Sequence, residues 1–201
     1  MNNALRQAVE FFGSIGMPTR RVTNGMLARE GAYVRPFLDG VWIDRGVLVY
    51  HPRTVRVADL FHEAGHLAVT PGFLHPHITP GMNFDEPTAE FLQAVDDYLA
   101  EHPDGLTSYP EDPGCRAILQ MSESEAIAWS FAAMKAAGAH LPSLWRKDDK
   151  SFDGATAEIR SMLEARCHLG IAGLQAAGMT AKNEYPQMRR WLQVQGSPSS
   201  A

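Results

Sequence analysis

Asp59-Leu60-Phe61-His62-Glu63-Ala64-Gly65-His66-Leu67-Ala68-Val69 decides how the rest of this chain is read. It contains His-Glu-x-x-His. Residues four apart on a helix share a face, so His62 and His66 point the same way. Two neutral imidazoles placed like that supply two corners of a tetrahedral zinc site. Glu63 follows the first of them and is within reach of a metal-bound water as general base. The flanks Leu60, Phe61, Leu67, Ala68 and Val69 are apolar, so the helix is expected to be buried. Two histidines and a glutamate on a buried helix are costly unless paired or metal-bound. The stretch therefore predicts a Zn²⁺-dependent hydrolase, a peptidase before any other kind.

Working outward, strand signals precede this helix. Val41-Trp42-Ile43 and Val47-Leu48-Val49-Tyr50 flank the turn-forming triplet Asp44-Arg45-Gly46, which reads as a hairpin. Ala32–Arg35 is a further candidate strand. Residues 4–16 carry Leu5, Ala8, Val9 and Phe12 at helical spacing, and Gly16 and Pro18 end that helix. A short helix from Thr23 to about Glu30 follows. It is too short for a convincing helix-turn-helix, so no nucleic acid is expected as partner. After the motif helix, Pro71-Gly72 is a stop, and residues 72–86 form a Pro/Gly/His-rich loop. Helices are then expected over 87–101, 116–139, 155–177 and 186–194. A flexible tail, 196–201, closes the chain.

The whole chain has 201 residues, 45% hydrophobic and 20% charged, with a net charge of −5. That is enough to bury a real core. No apolar run is long enough to span a bilayer, and Met1–Gln7 lacks the pattern of a signal peptide, so the cytoplasm is the expected setting, with no membrane contact. Two cysteines, Cys115 and Cys167, make no disulfide framework and are expected to be inert buried thiols. Charge is unevenly spread. Between Val57 and Cys115 there is no Lys or Arg, but there are eleven acids, from Asp59 to Asp112. Such a segment disfavours nucleic acid and favours a cationic partner, or is simply a solvated face.

A catalytic zinc usually takes three protein ligands. His75, His77, Asp85, Glu86, Glu90, Glu123 and Glu125 are available for the third. On a continuous helix through 116–139, Glu125 shares a face with Ile118, Met121, Ala128, Trp129 and Ala132. Glu123 points about 160° away on the same geometry. A carboxylate on the apolar face needs a reason to be there, and a metal supplies one. Ser122-x-x-Glu125 also fits a capping box, which supplies another. Glu125 as ligand is preferred.

Glu125-Ala126-Ile127-Ala128-Trp129-Ser130-Phe131-Ala132 resembles the third-ligand helix of the gluzincin metallopeptidases. Together with Asp39–Pro52 and Val57–His66, it resembles the ImmA/IrrE-type branch, over about residues 1–142. That resemblance implies that His62, His66 and Glu125 hold zinc and that Glu63 is the base. It implies a strand near Val47–Tyr50 beside the cleft, able to pair with an extended peptide. It also implies a regulatory peptidase acting on a protein substrate, in a repressor- or stress-related setting. Residues 143–201 have no counterpart in it.

The expected architecture is α+β, mostly helical, with a small antiparallel sheet before the motif helix (zincin-like). It divides into a metallopeptidase domain over 1–142, a helical extension over 143–195 packed on it, and the tail. Candidates for an oxyanion donor are Tyr98, Tyr109, His140, His168 and Tyr185. A zinc hydrolase of a non-peptide substrate, and a catalytically silent zinc-binding interaction protein, are the rival readings.

Overall fold

A computed structural model describes residues 3–23, 40–102, 111–138 and 155–194. The segments expected at 24–30 and 32–35, the residues Tyr109 and His140, and the 196–201 tail lie outside the described residues.

The class is α+β. Helix α1 (Asn3–Ser14) buries Leu5, Ala8 and Phe12, one face at the spacing the sequence shows. Strand β1 is Thr19–Arg21, β2 is Val41–Asp44 and β3 is Val47–Tyr50. β2 and β3 form the expected hairpin, with Val41 opposite Tyr50 and Asp44 opposite Val47. The turn places Arg45 at φ 46° and Gly46 at φ 82°. β1 was not expected. It runs parallel to β3, so the sheet is mixed, not antiparallel, with the order β1-β3-β2. Thr-Arg-Arg has no alternation to announce a strand, and its pairing with β3 is non-local.

Helix α2 (Val57–Val69) carries the motif and is buried along almost its whole length. At its N-terminus Asp59 takes two bonds from Arg56, 2.7 and 3.0 Å, which pays for a carboxylate that is only 1% exposed. A 3-10 turn (Gly72–His77) and α3 (Ala89–Glu101) follow, with Thr88 capping α3 through the Phe91 amide. The long helix expected at 116–139 is two helices, α4 (Pro113–Ile118) and α5 (Glu123–Ala136). The helix expected at 155–177 is also two, α6 (Ala155–Glu164) and α7 (Leu169–Ala176). Arg166 at φ 60° breaks the run, and the His168 ring restarts it by accepting the Gly170 N–H. No helix among the described residues is long and apolar enough to cross a membrane.

Val41, Ile43, Leu48 and Tyr50 join residues of α1, α2, α5 and α7 in one core. Leu163, Ile171, Leu174, Met179 and Tyr185 belong to that same core, so the C-terminal part completes it. The helix expected at 186–194 is absent. Its backbone groups bond elsewhere: the Arg189 N–H to Met179 O, the Gln193 N–H to Ala68 O, and Val194 O to the Gly72 N–H. The Trp191 ring stands edge-on to Phe11 at 4.9 Å, and its carbonyl accepts the Trp129 indole N–H at 2.8 Å. A chain ending at residue 188 is expected to lose about 2–4 kcal/mol, the sum of a few net hydrogen bonds and an aromatic pair, read as a lower thermal midpoint.

Candidate metal centre

α2 and α5 pack side by side, and two small contacts set how close they come. The Cα hydrogen face of Gly65 lies against the Ala126 carbonyl and the Ser130 hydroxyl, where a Cβ would overlap both. Ser130 Oγ lies 2.7 Å from Phe61 O on α2 and 2.7 Å from Ala126 O on its own helix. Residues 126 and 130 therefore face α2. Residue 123 is one turn earlier on that stripe, in the first turn of α5.

The carboxylate brought to the histidines is accordingly that of Glu123. His66 Nε2 is 2.9 Å from Glu123 Oε2 and His62 Nε2 is 3.6 Å from Oε1. The two imidazole Nε2 atoms are 3.3 Å apart. His62, His66 and Glu123 form a group able to hold a metal ion. Ligand bonds of about 2.0–2.1 Å at tetrahedral angles place donor atoms about 3.3 Å apart. The two Nε2 atoms stand at that spacing, and one ligand atom from each of the three residues lies within 4.8 Å of the others.

Glu125 is not at this centre. It takes the capping-box role: Ser122 offers it both hydroxyl and amide N–H, the latter at 3.2 Å. Its carboxyl is buried against Gly173 of α7. Burial pushes it above the usual carboxylate range despite the Ser122 bonds. The buried face that Glu125 shares with Ala128, Trp129 and Ala132 is as expected, but it meets α7, and the capping box under α7, rather than a metal, accounts for the buried carboxylate.

The other candidates are placed elsewhere. His75 Nε2 sits 3.1 Å from Leu67 O and 3.0 Å from Thr70 O, closing the C-terminal end of α2. His77 lies 3.5 Å from exposed Glu90. Glu86 is exposed, and Asp85 lines the rim of the cleft. Tyr98 donates to Asp112, Tyr185 donates to Ala128 O, and His168 caps α7, so these three oxyanion candidates have structural duties. Cys115 is buried as expected, but Cys167 is exposed.

Burial, reinforced by the neighbouring His66, lowers the His62 pKa to about 4, so the ring is neutral near pH 7. Glu123 is held below the usual carboxylate range: burial pushes its pKa up, but the hydrogen bond with His66 and the proximity of the two imidazoles outweigh it. His66 is held by stacking: its ring lies flat on Phe84, centroids 4.3 Å apart at 9°. Its Nδ1 is buried with no hydrogen-bond partner among the described residues. Glu63 shares with these residues a cleft of about 240 Å³, lined also by Met82, Asn83, Phe84 and Asp85. Burial, chiefly, pushes the Glu63 carboxyl up to about 7; Glu123 and Asp59 add to this and His66 opposes it.

No protein-family model matches the chain, and no curated protein or solved structure matches it either.

Proposed function

We propose that the chain is a zinc-dependent peptidase acting on an extended segment of a protein substrate. The observation that carries this reading is the convergence of His62, His66 and Glu123 at donor spacing, with Glu63 facing the same cleft. Two imidazole nitrogens and one carboxylate suit Zn²⁺, and a cleft on one side leaves a coordination position for water. Bound there, zinc would acidify that water and polarise a carbonyl oxygen.

The chain's own residues do the rest. Glu63 has a carboxyl poised near neutrality, where it can take a proton from water and release it to a leaving amine. Glu123 and the two imidazoles bear the load of ligation, so Glu63 stays free for proton transfer.

The edge that receives the substrate is β2, not β3. β3 is central, paired on both sides. The His51 N–H donates to Gly40 O, which makes Val41–Tyr50 a non-bonded pair and turns the backbone groups of Val41 and Ile43 outward. Those groups are buried and have no hydrogen bond among the described residues. They lie beside Glu63. An extended peptide added there would satisfy them and bring its backbone to the centre.

Glu63→Gln is the test. It is expected to keep one zinc per chain and to lower kcat on a cleaved peptide by about 10²–10⁴-fold. Equal activity in the variant, or a zinc-loaded wild type that cuts no member of a broad peptide library, would contradict the proposal.

A further inference from the structure

The groove that would take the peptide is closed. Between β2, Glu63 and the segment Ile78–Phe84 there remains only about 10 Å³. That is room for one water at most, whereas an added strand needs a full inter-strand spacing of about 4.8 Å. The wall that closes it begins at a fixed point, where Ile78 O accepts the Arg45 N–H at 2.9 Å on the outer edge of the hairpin. From Thr79 onward the chain leaves β2 without bonding to it. It turns at Gly81, at φ 79°, and runs to the Thr88 cap of α3.

Among the described residues the hydrogen bonds of Thr79–Pro87 stay inside that segment: the Met82 N–H to Thr79 O, the Glu86 N–H to Asn83 O, and the Asp85 N–H to Asn83 Oδ1. What holds it over the centre is apolar. Phe84 stacks on His66, stands edge-on to Phe91 at 6.4 Å, and together with Met82 packs on the core. Such a segment opens at small cost, because no hydrogen bond to the scaffold has to break.

We propose that Thr79–Glu86 is a flap, latched by Phe84 on His66, that covers the outer edge of β2 and must swing out before a peptide reaches the centre. The inference rests on the peptidase reading for its purpose but not for its test. Closed, the flap shields both the His66 ring and the outer edge of β2, which pairs with no strand among the described residues, so the groove at rest does not admit an extended segment. Opening exposes together the Val41 and Ile43 backbone and the ring face of His66 that Phe84 covers. Substrate pairing with β2 would offset the lost stack, so the peptide itself favours the open state.

Amide hydrogen exchange on the full chain, without substrate, reads the flap directly. In Phe84→Ala, exchange across 79–86 and at Val41 and Ile43 is expected to rise about tenfold, the loss of one aromatic stack. Amides inside α2, Phe61 to Leu67, are expected to keep the wild-type rate. Phe84→Tyr, which keeps the stacked ring, is expected to restore the protection. Unchanged exchange in Phe84→Ala would overturn the flap. So would a rise of equal size in α2, since Phe84 would then be an ordinary core residue. A chain that opens as described yet cuts no peptide would refute the proposed function and leave the flap standing.

Discussion

Glu123→Ala is expected to leave the purified chain without stoichiometric zinc, whereas Glu125→Ala keeps the metal and loses stability instead. The two acids are two residues apart, and a helix sends them to different neighbours. Glu123 lies within 2.9 Å of His66 Nε2. In the proposed centre its removal deletes one of three ligands, and the loss of affinity should exceed the roughly 10–100-fold that follows loss of an outer partner. Glu125 closes the capping box with Ser122 and fills the space beside Gly173. Its removal should cost about 0.5–2 kcal/mol, the worth of a helix cap. Elemental analysis of both variants, with thermal unfolding beside it, separates the two roles. Zinc retained in Glu123→Ala and lost in Glu125→Ala would reverse the assignment.

Gly65→Ala should damage both the fold and the centre. Alanine is the better helix former by about 1 kcal/mol, so an isolated helix would gain from the change. Here the new methyl would land on the Ala126 carbonyl oxygen and the Ser130 hydroxyl. Neither can retreat: one is helix backbone, and the other is fixed between Phe61 O and Ala126 O. α2 and α5 must move apart. Overpacking of that kind costs about 1–3 kcal/mol, enough to outweigh the gain in propensity. Glu123 stands on the same stripe of α5 and moves with it, so zinc affinity should fall as well. Titration of metal into the folded variant, at a temperature below its midpoint, reads the second effect apart from the first. A variant as stable as wild type with full affinity would mean that the close approach does not position the ligand.

What the sequence showed, it showed where the signal is local. The motif helix needs only its own periodicity, and the hairpin only Asp44-Arg45-Gly46 between two apolar runs. A third ligand on the 116–139 segment implies that this segment meets the motif helix, and α5 does pack on α2. The identity of that ligand did not follow: Glu125 lies on a buried face with Ala128, Trp129 and Ala132, as expected, but that face packs its carboxyl beside Gly173 of α7 and not against the histidines of α2. The signal that would have corrected this was present. Ser122-x-x-Glu125 taken as a capping box both starts a new helix and commits Glu125 to it. What remains, Glu123, is the acid free to face α2. β1 and the segment 186–194 were illegible for a different reason: their backbones are satisfied by residues far away in the chain, Leu48–Tyr50 in one case and Ala68, Gly72 and Met179 in the other.

Burial separates the two acids. Glu123 has 43% of its side chain exposed and faces the cleft it shares with His62, Glu63 and His66. Glu125 is shut beneath α7, away from that cleft.

Anomalous diffraction at the zinc absorption edge, from crystals of the zinc-loaded chain, bears most directly on the metal centre. The expected result is one peak per chain, within bonding distance of His62 Nε2, His66 Nε2 and a Glu123 carboxylate oxygen. A peak ligated by Glu125, His75 or His77, or no peak between the two motif histidines, would contradict it.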